Sequence, residues 1–123
     1  MSQHNELGKK GEELAISFLE SQGYKIKEKN WRFKKAEIDI ICEMNDILTF
    51  IEVKTRSTTY FGDPSEFVGP KKQALILDAA NEYMKSIGYE WEIRFDIIGV
   101  VIEKSGKESV RHFKDAFFPD WSS

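Results

Sequence analysis

Cysteine is nearly absent from this sequence, and histidine and proline are scarce. The single Cys42 cannot close an internal disulfide, and an unpaired, buried thiol suits a reducing cytoplasm. Cys42 with only His4 and His112 cannot assemble a structural zinc site, so any metal would have to be held by carboxylates. Long hydrophobic runs are missing too. The longest apolar stretch, counting Gly, is Ile97 to Ile102, six residues, where a membrane span needs about 20. The first fifteen residues contain no apolar segment of the secretory kind, so neither a signal peptide nor a membrane partner is expected. No repeat, low-complexity tract or linker interrupts the chain, which reads as a single domain over residues 1–123.

What is present supports a folded core. Leu, Ile, Val and Phe number 33 of the 123 residues, above the level at which chains stay disordered. The net charge of −3 offers no bulk attraction to nucleic acid, but the charge is segregated. Tyr24 to Lys35 carries six Lys or Arg against one Glu, interleaved with Tyr24, Trp31 and Phe33; Glu37 to Val53 then holds five acids and no base. Such a pattern fits a phosphate-facing rim beside a cation pocket. It also fits a Lys-rich edge strand protected from aggregation, and on charge alone that second reading is the stronger.

Periodicity predicts the order αβββαββ, an α/β domain with helices covering a mixed sheet. Leu7, Gly11, Leu14, Ala15, Phe18 and Leu19 recur at helical spacing, giving a helix over Asn5 to Gln22 closed by Gly23. A short strand near Tyr24 to Lys29 follows. Strands at Ala36 to Glu43 and Ile47 to Thr55 are joined through Met44-Asn45-Asp46. Gly69-Pro70 opens a second helix with an apolar stripe at Leu75, Ile76, Ala79, Tyr83 and Ile87, ended by Gly88. The β-branched run Ile93 to Ile102 reads as a buried central strand, with a short last strand at Val110 to Phe113.

With that hairpin, Glu43 pairs with Leu48 and Asp39 falls opposite Glu52, with Lys54 on the same face as Glu52. Two carboxylates so close repel unless a cation lies between them. Their oxygens suit a hard ion such as Mg²⁺, and Lys54 would stand beside it to steer or deprotonate a water. That is the equipment for attack on a phosphodiester. Glu12, at the edge of the first helix's apolar stripe, can look toward the same place while Glu13 faces solvent. The plain alternative for Glu12 is an acid favoured near the helix N-terminus. Glu37 reads as a strand-end acid pairing with Lys35 or Arg56, and Cys42 as core packing. Arg32, Lys34, Lys35, Arg56 and Lys72 are candidates for phosphate contact, Lys72 because it stands in the first turn of a helix. Trp31 is a candidate to stack on a base, or a packing residue at a strand edge.

The strings Gly8-x-x-Gly11-Glu12-x-x-Ala15, Gly23-Tyr24, Asn30-x-Arg32, Glu37-Ile38-Asp39 and Phe50-Ile51-Glu52-Val53-Lys54-Thr55-Arg56 resemble the bacterial YraN-type family. Phe61-Gly62, Lys72-Gln73, Ala79-Ala80, Arg94-Phe95-Asp96 and Ala116-Phe117 extend the match over nearly the whole chain. That family resembles the PD-(D/E)xK, restriction-endonuclease-like superfamily, close to Holliday-junction resolvases. The resemblance implies a nuclease core in which Asp39, Glu52 and the Val53 carbonyl bind Mg²⁺, with Mn²⁺ as a substitute. Lys54 would serve the water and Glu12 would complete the site. The partner implied is DNA or another nucleic acid, with branched or structured DNA the leading substrate; a non-catalytic nucleic-acid-binding module on the same fold is the competing expectation. Dimerisation would gather two basic segments on one face, and two-strand cutting would require it, so a homodimer is one option for its assembly.

Overall fold

The computed structural model describes residues 6–58 and 68–117. Its elements are α1 (Glu6–Ser21), β1 (Lys25–Phe33), β2 (Ala36–Met44), β3 (Ile47–Arg56), α2 (Pro70–Ile87), β4 (Ile93–Ile102) and β5 (Glu108–Phe113). The αβββαββ order is the one expected. The five strands form one mixed sheet in the order β1-β2-β3-β4-β5, antiparallel throughout except for the parallel β3–β4 pair.

Local chemistry explains the elements. Met44 pairs with Ile47, leaving Asn45 and Asp46 as a two-residue loop with φ of 53° and 64°. Positive φ at both positions is what a tight hairpin of this hand demands, and Asn and Asp tolerate it. Pro70 opens α2 and Gly88, at φ 67°, closes it with its N–H on the Lys85 carbonyl, the asymmetry expected of a helix. Because strand side chains alternate, β4 feeds two cores. Phe95 and Ile97 join Phe50, Ile76, Ala79, Ala80 and Tyr83 under α2. Ile98, Val100 and Ile102 join Ile40, Ile51, Ala15 and Leu19 under α1. The helices therefore cover opposite faces.

Three expectations need correction. The first strand is longer than read, running on to Phe33 past a bulge between Ile26 and Glu28; its charged, exposed residues are permitted because it is a sheet edge. In α2 the stripe is narrower: Leu75 and Ile87 are exposed, and Ala80 is buried instead. Tyr24 is not a rim aromatic at all, being buried with its hydroxyl accepting from Arg94 Nη2 at 2.7 Å. Phe61 and Gly62, part of the family match, and His4 lie outside the described residues. Among the described residues no helix is long and apolar enough to cross a membrane.

Candidate active site

The β2–β3 ladder ends at Ile40 and Ile51. Beyond it, β2 pairs only with β1 and β3 only with β4. At this fork the Asp39 carboxylate replaces the backbone: Val53 N–H donates to Asp39 Oδ2 at 2.8 Å. The parted strands open a cleft of about 720 Å³ that both helices reach. Its walls include Glu12 from α1, Asp39 from β2, Glu52, Val53 and Lys54 from β3, and Lys72 from α2. All four residues expected to carry chemistry, Glu12, Asp39, Glu52 and Lys54, thus share one cavity. Glu12 is half-buried and Glu13 exposed, as its place on the helix requires.

Glycine makes the approach of α1 possible. A Cβ at Gly11 would collide with Thr55 Oγ1 and lie 2.9 Å from Thr55 Cβ and Cγ2. The helix therefore seats directly on β3, which brings the neighbouring Glu12 to the cleft. Asn30, in a left-handed conformation at φ 51°, supports the same acid from the edge strand. With its nitrogen turned toward the acids, the Asn30 amide donates to Glu37 Oε2 at 2.8 Å and to Glu12 Oε1 at 3.3 Å. Spacing alone did not mark Asn30 as a site residue; the β1–β2 pairing, Lys29 with Ile40 and Trp31 with Ile38, sets it beside Asp39.

Charge in the cleft is crowded. Burial raises the Asp39 carboxyl well above the usual carboxylate range, and the neighbouring Glu52 charge raises it further; the Val53 amide only partly offsets this. Lys54 is lowered, first by burial and then by the Lys72 charge. Lys72 Nζ lies 2.6 Å from Glu52 Oε2. Burial opposes the Lys72 charge, but Glu52 outweighs burial and its pKa is raised. Among the described residues no three His, Cys, Asp or Glu side chains converge as a metal cage. What the cleft does present is two carboxylates, Asp39 and Glu52, on the parted strands β2 and β3; a pair of that kind has the chemistry to hold a hard cation that keeps solvent oxygens in its shell.

The basic candidates divide. Lys35, Arg56 and Lys72 line the cleft, joined there by Lys71. Arg32 is paired with Glu37 Oε1 at 3.3 Å, a partner for that acid besides the Lys35 or Arg56 expected. Lys34 goes elsewhere. It takes the turn at φ 56°, lies over the Phe33 ring and borders a separate groove with Asp78 and Glu82. Trp31 packs edge-on against Tyr83 at 5.3 Å between ring centres, a core contact.

A second polar cluster lies on the α1 face of the sheet. Asp96 is fully buried and receives Arg94 Nε at 3.0 Å, His112 Nε2 at 2.7 Å and the Asp115 N–H at 3.0 Å. Burial alone would raise Asp96; the bonds from His112, Arg94 and Asp115 outweigh it and hold the carboxyl below the usual range. Cys42 sits beside it, fully buried, its thiol pushed up to about 12 by burial and by the Asp96 charge. Such a thiol is inert packing.

Comparison with known proteins places the chain. Residues 11–100 match the Uncharacterised protein family UPF0102. A UPF0102 protein of Flavobacterium psychrophilum is 51% identical over 118 residues, covering 96% of this chain and 98% of its own length. Those of Christiangramia forsetii and Syntrophomonas wolfei are 48% and 43% identical, covering 96% and 93% of this chain and 98% and 99% of their own. Among solved structures, the calcium complex of Pyrococcus furiosus SfsA is similar at a TM-score of 0.38 and 16% identity. The alignment covers 88% of this chain and 62% of the SfsA chain. With relatives this similar over nearly their full lengths, the chain belongs to the UPF0102 family.

Proposed function

We propose that this protein is a metal-dependent nuclease that hydrolyses phosphodiester bonds of DNA, with branched or otherwise structured DNA as the substrate class. One observation carries the reading: Glu12, Asp39, Glu52 and Lys54, from three elements, meet in a single cleft where β2 and β3 part. The αβββαββ order with a mixed sheet is also what likeness to restriction-endonuclease-like proteins implies. Asp39, Glu52 and the Val53 carbonyl would hold Mg²⁺ or Mn²⁺, and the crowding of the two carboxylates supports this assignment. When bound, the ion supplies charge neutralisation at the phosphate and activation of a water.

The chain's own residues supply the remainder. Asp39 is held in place by the Val53 N–H, so its carboxylate is oriented before any ligand arrives. Lys54 Nζ, on the same face as Glu52, orients the attacking water or, as the neutral amine, takes its proton. Glu12 adds a third acid at the far wall. Lys35, Arg56 and Lys71 hold flanking phosphates at the rim. A homodimer would set two such clefts on two strands, and the unpaired Cys42 suits a cytoplasmic protein.

The test is a cleavage screen over duplex, flap, single-stranded and four-way substrates with Mg²⁺ or Mn²⁺. Glu52→Ala should abolish cleavage and recover little when the metal is raised. Lys54→Ala should keep metal binding while turnover falls about 100- to 10,000-fold. DNA binding should survive both changes. A wild type that binds branched DNA tightly yet leaves every substrate intact would replace this reading with that of a non-catalytic binding module.

A further inference from the structure

Glu52 is only 3% exposed and shares the cleft with Asp39, so its charge needs a partner. That partner comes from the opposite wall. Lys72, the third residue of α2, places Nζ 2.6 Å from Glu52 Oε2. The two ends of the pair differ. The Glu52 side chain is 4% exposed and fixed by a central strand, whereas the Lys72 side chain is 46% exposed on a flexible stem. The buried end cannot leave, but the lysine can.

We infer that Lys72 is the internal counter-cation of the cleft: it neutralises Glu52 in the metal-free protein and gives up that carboxylate when a divalent cation binds between Asp39 and Glu52. The inference rests on the metal-dependent reading above. An ammonium in hydrogen-bond contact with Oε2 takes the place a metal needs, and two cations there repel at close range. Cation binding therefore includes the work of displacing Lys72. Once displaced, the ammonium remains at the cleft mouth, where its charge can meet a substrate phosphate.

The experiment reads cation affinity and melting rather than cleavage. Titration calorimetry with Mn²⁺ would compare wild type, Lys72→Met and Lys72→Arg, with thermal melts taken with and without Mn²⁺. Lys72→Met should bind Mn²⁺ roughly ten-fold more tightly than wild type, since a displacement worth about 1.4 kcal/mol is a factor of ten. Lys72→Arg, which keeps the charge, should stay weak. Without Mn²⁺, Lys72→Met should melt below wild type, and saturating Mn²⁺ should close the gap. In a Glu52→Gln background the same substitution should cost no melting temperature, which separates a charge role from packing. Equal or weaker Mn²⁺ affinity in Lys72→Met, or an equal loss of melting temperature in the Glu52→Gln background, overturns the inference. Cleavage by wild type with unchanged Mn²⁺ affinity in Lys72→Met would sink this inference and leave the nuclease reading standing. The expected Mn²⁺ behaviour without cleavage of any substrate would do the reverse, and absence of Mn²⁺ binding in both proteins would remove both.

Discussion

Asp39 carries two duties that oppose each other. Its carboxylate completes the sheet at the fork by accepting the Val53 N–H, yet burial and Glu52 make its ionised form unfavourable. A carboxyl raised on folding binds more protons in the native than in the unfolded protein. Stability therefore falls as pH rises from the unfolded value, near 3.8, through the folded one. Asp39→Asn keeps an oxygen for the Val53 amide and removes the charge. Without divalent cations it should melt above wild type at neutral pH, each 1 kcal/mol relieved adding about 4 °C. The difference should shrink as pH falls toward 4, and Mn²⁺ should stabilise wild type but not the variant. A pH series of melts with and without Mn²⁺ checks both, and a variant that melts below wild type at pH 7 would contradict the account.

The contact between α1 and β3 depends on a missing side chain. Gly11 lets the helix lie on Thr55, and the next residue, Glu12, reaches the cleft because of it. Gly11→Ala should cost about 1–3 kcal/mol, the range for overpacking a filled interface. Thr55→Ala in the same chain removes the Oγ1 and Cγ2 atoms in the way and should recover part of that loss. Denaturant melts of the single and double variants measure the coupling, and additive losses would show that the two residues do not share the contact. On the same face, Asp96 ties β4 to β5 through His112 and to the following turn through Asp115. That cluster acts as a buried brace, and none of Arg94, Asp96, His112 and Asp115 lines the cleft.

Charge is distributed over the whole molecule so that one opening gathers five of the 18 Lys and Arg residues. The net charge is −3, but Lys35, Arg56, Lys71 and Lys72 converge around the buried acids. Nucleic-acid affinity should therefore fall steeply with salt and depend on these residues rather than on the basic segment as a whole. Lys35→Ala should reduce the slope of log affinity against log salt by about one, while Lys34→Ala leaves it unchanged. Fluorescence anisotropy on a four-way DNA across a salt series tests this. Equal effects of the two substitutions would mean that the rim follows the β1–β2 turn instead of the cleft.

Periodicity was enough for the order of the described elements, though not for the length of β1, because amphipathic helices, alternating strands and the Asn45-Asp46 turn each obey local rules. The register that carries Asp39 toward Glu52 followed from counting along a two-residue hairpin, although the ladder itself stops one pair short of them. Other features needed the chain folded. Nothing local says that the β2–β3 ladder stops at Ile40 and Ile51, since the Asp39 carboxylate that ends it is fourteen residues from the amide it binds. Nor does spacing distinguish Lys34 from Lys35: a positive φ at the turn sends one to the outer groove and leaves the other at the cleft. The pairing of Lys72 with Glu52, and of Asp96 with Arg94 and His112, joins residues that only sheet order and helix placement bring within reach. Sequence determines which residues alternate, repeat and turn, because those rules act over a few residues. Which charges end up as neighbours is decided by tertiary packing, because burial and separation, the quantities that set their energies, exist only once the strands and helices have met.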